Sequence, residues 1–206
     1  MNLDTFKQKP LLSILRGIDI NMIEPLVDIV IASGLYAIEI TMNTENAPKL
    51  ISTMKKYANG KLSVGAGTVL NMNDLDLALK AGAEFIVSPI LDKDVIGYCA
   101  KNNIPNFPGA YTPQEVYNAW NEGATMVKIF PVKFQGHEYI KELKGPLNKI
   151  EMLACGGINA ENITKFFEAG ASAVAFGGEV FKKEWLAKNE YSKIQEYLCL
   201  IAKKEA

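Results

Sequence analysis

Short apolar runs alternate with longer amphipathic stretches along this chain, and the alternation repeats. Four segments share one pattern, a small glycine turn followed by an apolar run. They read Ala32-Ser33-Gly34-Leu35-Tyr36-Ala37-Ile38-Glu39, Ala81-Gly82-Ala83-Glu84-Phe85-Ile86-Val87, Glu122-Gly123-Ala124-Thr125-Met126-Val127-Lys128 and Ala169-Gly170-Ala171-Ser172-Ala173-Val174-Ala175. The four glycines are 48, 41 and 47 residues apart. Such an interval holds two βα units of roughly 20 to 25 residues each. Each glycine follows a helical pattern, where a C-terminal glycine takes up a positive φ at little cost. Further strands are predicted between the repeats at Leu62 to Ala66, Ile104 to Phe107 and Ile150 to Ala154, with a first at Leu11 to Arg16. Helical patterns fall near residues 21–33, 44–58, 71–81, 92–102, 112–122, 138–143, 159–169 and 184–203. Alternating β and α with short connections predicts a parallel sheet. Eight such units favour closure into a (β/α)8 barrel, with an open doubly wound sheet as the alternative. Residues 1–206 are expected to form one α/β barrel domain, with a short segment, 1–10, before the first strand.

Composition narrows the function. With 206 residues, 49% hydrophobic and 22% charged, the chain can build one sizeable core. Its formal charge of -1 offers no basic excess for nucleic acid. The single histidine, His137, rules out a multi-histidine zinc site but leaves a carboxylate-only magnesium site open. Three scattered cysteines do not make a disulfide framework. No apolar run is long enough for a membrane span, and residues 1–10 lack the features of an export signal. These readings together predict a cytoplasmic protein that binds neither membrane nor nucleic acid.

The repeat also places chemistry. The fifth residue after each repeat glycine is Glu39, Val87, Lys128 and Ala175. In the second, fourth, sixth and eighth strands these positions share one interior layer of a barrel. Strand alternation sends Ile38 and Ile40 outward and Ala37, Glu39 and Thr41 inward. By the same rule Val127 and Ile129 face out, while Met126, Lys128 and Phe130 face in. A carboxylate and an amine therefore project into one layer, near the strand ends where barrel enzymes place their sites. One reading is a buried structural ion pair. The other is covalent catalysis. A lysine amine attacks a carbonyl only when neutral, and desolvation disfavours the ammonium. The resulting protonated imine draws electrons from a breaking C–C bond, and a nearby glutamate can carry protons. The same glutamate, close to an ammonium, would hold the lysine protonated.

Glycines mark the other strand ends. Gly65-Ala66-Gly67-Thr68 closes the third strand, Cys155-Gly156-Gly157-Ile158 the seventh, and Gly177-Gly178 the eighth. Asn159 is placed to cap the helix after the seventh strand. Loops after the last two strands are the usual phosphate cradle of this barrel.

The set Ile38-Glu39-Ile40-Thr41, Gly65-Ala66-Gly67-Thr68-Val69, Ser88-Pro89, Pro108-Gly109, Lys128-Ile129-Phe130-Pro131 and Gly156-Gly157-Ile158 resembles the 2-keto-3-deoxy-6-phosphogluconate (KDPG) / 4-hydroxy-2-oxoglutarate (KHG) aldolase family. The match runs in order over nearly the whole chain. The resemblance implies a (β/α)8 barrel, a homotrimer, no metal or other cofactor, and a 2-keto acid substrate yielding pyruvate. It makes Lys128 the Schiff-base lysine and Glu39 the general acid/base. Thr68 would hold the pyruvyl carboxylate, and Pro89 and Phe130 would wall the site. Gly156, Gly157, Gly177 and Gly178 would line the distal, phosphate-end pocket.

Three positions depart from the family pattern. Asn43 stands where members carry a substrate-binding arginine, and Arg16 can supply that cation or form a surface salt bridge. Cys155 replaces a threonine before Gly156-Gly157; a thiol is the weaker donor, and no histidine motif accompanies it to make it a nucleophile. Glu179 follows Gly177-Gly178 where a phosphate-contacting serine is common, and a carboxylate there repels phosphate unless it turns away. The leading expectation is reversible aldol cleavage of a 2-keto-4-hydroxy acid. The alternatives are a phosphosugar isomerase or epimerase without an imine, and a non-catalytic small-acid sensor. His137 is expected at a loop or helix start, and Trp120 and Trp185 in packing roles. The run Lys182-Lys183-Glu184 is expected on a solvated face.

Overall fold

The computed structural model describes residues 1–204, so residues 205 and 206 of the expected domain lie outside the described residues. Every strand pairing is parallel. The strands are β1 (Leu11–Leu15), β2 (Ala37–Thr41), β3 (Ser63–Gly67), β4 (Ile86–Val87), β5 (Asn106–Phe107), β6 (Gly109–Ala110), β7 (Val127–Ile129), β8 (Met152–Cys155) and β9 (Ala173–Phe176). They pair in the order β5-β4-β3-β2-β1-β9-β8-β7-β6. The two ends of that order, β5 and β6, are halves of one stave broken at Pro108, which has no N–H to donate. The Pro108 carbonyl still accepts from the Lys128 backbone N–H at 2.8 Å, so the ring closes there. The structure is the expected (β/α)8 barrel, with eight staves counted as nine strands.

The helices are α1 (Leu3–Gln8), α2 (Ile23–Ala32), α3 (Ala47–Ala58), α4 (Met72–Lys80), α5 (Lys93–Lys101), α6 (Pro113–Asn121), α7 (Gly136–Lys144), α8 (Ile163–Glu168), α9 (Lys183–Ala187) and α10 (Tyr191–Lys204). Side-chain caps explain several starts. Asn71 accepts from the Asp74 N–H at 2.9 Å, and Asp92 from the Val95 N–H at 2.9 Å. Thr112 and Glu115 form a reciprocal capping box on α6. Two backbone N–H groups, of Thr112 and Tyr111, hold the Glu115 carboxyl below its usual range. No helix among the described residues is long and apolar enough to cross a membrane.

Two apolar clusters follow from strand alternation. Ile38, Ile40, Val127 and Ile129 join the large outer cluster between sheet and helices. Ala37, Val87, Met126, Cys155 and Ala175 join the small cluster inside the barrel. The inward and outward directions expected from the repeat are those of the folded chain.

Three expectations are corrected, and the segment before the first strand acquires a structure that the sequence did not indicate. The segment 1–10 contains a helix, α1, whose Phe6 is fully buried in the interior cluster. Its ring lies 6.0 Å from that of Phe107, which in turn meets Phe85 at 5.9 Å. A helix this short shows little periodicity, and its burial depends on a barrel that local sequence does not contain. The strand expected at Ile104 to Phe107 runs later, as β5 and β6. The helix expected over 184–203 is two helices, α9 and α10, with Asn189 between them in a left-handed conformation that ends the first. Asn159 caps the turn before α8 rather than the helix itself: its Oδ1 accepts from the N–H groups of Glu161 and Asn162, at 2.9 and 3.1 Å.

Candidate active site

Glu39 and Lys128 both lie inside the barrel, 1% and 5% exposed. Each sits between outward-facing neighbours on its strand, and no backbone turn is needed to aim it. Glu39 has room because Gly67, on the adjacent β3, lacks a side chain. A Cβ there would stand 2.1 Å from Glu39 Oε1 and 2.6 Å from its Cδ. Glu39 Oε2 is buried without a hydrogen-bond partner. Burial pushes the Glu39 carboxyl up to about 7, although the charges of Lys128 and then Arg16 pull it down. The two side chains make no ion pair among the described residues, so the reading of a structural salt bridge is not met. They interact through space while each keeps its own position. Lys128 Nζ stands 5.0 Å from the centre of the Phe130 ring.

Above this pair opens a cavity of about 440 Å3 at the C-terminal ends of the strands. Of the residues expected from sequence, Arg16, Phe130, Cys155, Gly156, Gly157, Gly177, Gly178 and Glu179 line it. Gly156 and Gly157 take φ values of +107° and +73°, which a side chain would strain. Phe130 and Cys155 connect the cavity to Lys128: both belong to its wall, and Phe130 also faces the amine. Burial pushes the Cys155 thiol up, with the charge of Lys128 opposing the shift. A protonated thiol is no nucleophile. Arg16 makes no ion pair among the described residues, so its cation stays available at the cavity wall.

Glu39 and Lys128 are not themselves in that wall, and three further expected residues do not line the cavity either. Asn43 is exposed on the loop after β2. Pro89 sits after β4, where a Cβ on Gly109 would meet its carbonyl oxygen at 2.3 Å. Thr68 follows β3 with φ of +54°, a left-handed conformation that a β-branched residue rarely adopts. Strain of this kind collects at functional positions. Sequence reasoning misses Lys183, Ile14, Ile158 and Phe181, all in the cavity wall. In sequence Lys183 reads as part of a charge run; its place at the mouth follows from the β9–α9 turn. His137 opens α7 as expected, and Trp120 and Trp185 pack against the outer core. Among the described residues, no group of three or more His, Cys, Asp or Glu is arranged to hold a metal.

Comparison with known proteins bears on this geometry. The family model described as "Aldolase: KDPG and KHG aldolase" matches residues 3–197. A 2-dehydro-3-deoxy-6-phosphogalactonate aldolase of Escherichia coli (strain K12) is 33% identical over 174 residues, which is 84% of this chain and 85% of that protein. A 2-dehydro-3-deoxy-phosphogluconate aldolase of Haemophilus influenzae is also 33% identical, over 82% of this chain and 80% of its own. A solved structure described as "Native KDPGal structure" superposes with a TM-score of 0.88 at 30% identity, covering 95% of this chain and 93% of the other.

Proposed function

The chain belongs to the KDPG and KHG aldolase family, and from that premise we propose that Lys128 is its imine-forming amine and Glu39 its proton carrier. The protein is a pyruvate-dependent aldolase, a lyase that reversibly cleaves a 2-keto-4-hydroxy acid to pyruvate and an aldehyde. The observation that carries the residue assignment is the state of Glu39. It is buried, has one oxygen without a partner, titrates near neutrality, and shares the interior with an amine it does not bond. A purely structural carboxylate would be paired. One that ionises near neutrality gives and takes protons with equal ease there.

Cleavage then runs in balanced steps. The neutral Lys128 amine adds to the C2 carbonyl, and Glu39 in its acid form protonates the departing hydroxyl as water leaves. The protonated imine results. Glu39, now a carboxylate, takes the proton of the C4 hydroxyl. The C3–C4 bond breaks, its electron pair moves into the imine, and an aldehyde departs. Glu39 returns the proton to C3 of the enamine; water then adds to the protonated imine, and as pyruvate and the neutral amine separate the remaining proton passes to Glu39 and restores its acid form. Phe130 covers the amine and limits the water that would otherwise restore its hydration. Arg16 offers a cation to the substrate carboxylate, and the strained Thr68 presents its hydroxyl and backbone to the pyruvyl end.

The reading extends to the whole protein. The chain acts as one barrel domain, and three copies assemble as a homotrimer, in keeping with the family resemblance. The cysteines Cys99, Cys155 and Cys199 are free, which supports a reducing, cytoplasmic setting.

Borohydride reduction in the presence of pyruvate tests the reading. It should leave a three-carbon adduct on Lys128 and abolish activity. Lys128→Ala should take no adduct and lose about a thousandfold or more in kcat at unchanged fold. Turnover of a phosphosugar by isomerisation, without any adduct on folded protein, would instead favour imine-free chemistry.

A further inference from the structure

The mechanism leaves two charged side chains of the cavity wall without a role, Glu179 and Lys183. They flank the turn between β9 and α9. Lys182, beside them, is already engaged, its Nζ 4.4 Å from the centre of the Trp185 ring. Lys183 lines the cavity instead, and makes no ion pair among the described residues. Glu179 lines the same cavity and is likewise unpaired among them. Two opposite charges on one short segment that share a cavity without pairing both remain available to a ligand. Gly177 and Gly178 belong to the same cavity wall, and a Cβ on Gly178 would meet nothing within 4 Å. Phe130 belongs to that wall and its ring stands 5.0 Å from the Lys128 amine, so a substrate bonded to Lys128 extends its far end into the cavity that this pair lines.

A dianionic tail meets repulsion from Glu179 and attraction from Lys183. A hydroxyl-ended tail feels neither strongly and can donate to Glu179. Building on the aldolase reading, we propose that Lys183 and Glu179 are specificity-determining residues for the substrate's far end. Lys183 binds the oxygens of a phosphorylated tail, and Glu179 opposes it. The pocket thereby discriminates less sharply between phosphorylated and unphosphorylated substrates than one with a neutral residue at 179.

Both residues are exposed, so substitution spares the core. The test compares kcat/KM on the phosphorylated and unphosphorylated 2-keto-3-deoxy six-carbon acids for wild type, Lys183→Met and Glu179→Gln. Lys183→Met should lower the value for the phosphorylated acid about tenfold, mainly through KM, and leave the unphosphorylated acid within about twofold. Glu179→Gln should raise the ratio of phosphorylated to unphosphorylated turnover severalfold. Equal effects on both substrates, or none, would overturn the proposal. A second readout needs no turnover: glycerol 3-phosphate binding by calorimetry should weaken about tenfold in Lys183→Met. No binding to wild type, or equal binding to both proteins, also overturns it. Failure of pyruvate trapping in wild type would sink the aldolase reading separately, and the glycerol 3-phosphate result would still decide the role of Lys183.

Discussion

Glu39 is the residue on which the proposed chemistry turns. Its carboxyl is raised by burial, so its ionised form is worse off in the folded protein than in the unfolded chain. Below pH 4.5 both states are protonated and the residue is neutral in the balance. Between 4.5 and about 7 the unfolded chain releases the proton first, so stability falls as pH rises and levels off above 7. The loss is about 3 kcal/mol at most. Glu39→Gln should therefore lack the stability decline between about pH 4.5 and 7 that urea titrations of the wild type should show. It should also lose roughly a hundredfold or more in kcat, together with the limb near neutral pH of the kcat/KM profile. Loss of activity with the stability slope intact would assign that slope to another group. Gly67→Ala probes the same carboxylate from outside. The added methyl occupies the space of Oε1, so kcat should fall about a hundredfold while the melting temperature moves only a few degrees. Unchanged kcat in that variant would mean that Glu39 works from a different rotamer.

At the scale of elements, the strands position and the loops discriminate. β2 and β7 carry Glu39 and Lys128, the proposed reacting pair, because alternation turns every second residue inside, while their outer faces anchor to helices. The loops after β1, β8 and β9 carry Arg16, the glycines and the Glu179–Lys183 pair. By contrast, α1 closes the other end of the barrel with Phe6, against Phe107 and Phe85. Phe6→Ala should cost about 3 to 5 kcal/mol of unfolding free energy. It should leave KM near the wild-type value, because the site lies at the opposite strand ends. A loss below about 1 kcal/mol, measured by chemical denaturation, would show that α1 is not needed to fill the barrel floor.

At the scale of the whole molecule, ring closure brings together residues far apart in sequence. Lys128 is fixed to Pro108 through its backbone, and Glu39 is fixed beside Gly67; both side chains then meet in a space that water barely enters. An open sheet would put the same residues on one surface, where both side chains keep their hydration. The proposed homotrimer belongs to this scale too. Light scattering should give a particle of three times the 22.6 kDa chain mass. A monomeric mass at working concentration would remove that part of the reading.

The periodicity of the chain by itself determined the parallel α/β order, the eight staves and the inward direction of Glu39 and Lys128. These follow from local rules: alternation along a strand, and a glycine that ends each helix. Its motifs also marked most of the cavity wall, because strand ends need glycine where the backbone must turn or a neighbour must approach. What depends on packing at a distance was decided by the tertiary structure alone. The barrel gave Phe6 a place to bury and put Lys183 at the cavity mouth while leaving Asn43 outside its wall. It also determined that Glu39 and Lys128 interact without pairing and that burial outweighs the nearby cations in setting the Glu39 carboxyl. Desolvation is a property of everything surrounding a group, and no stretch of sequence contains those surroundings until the ring is closed.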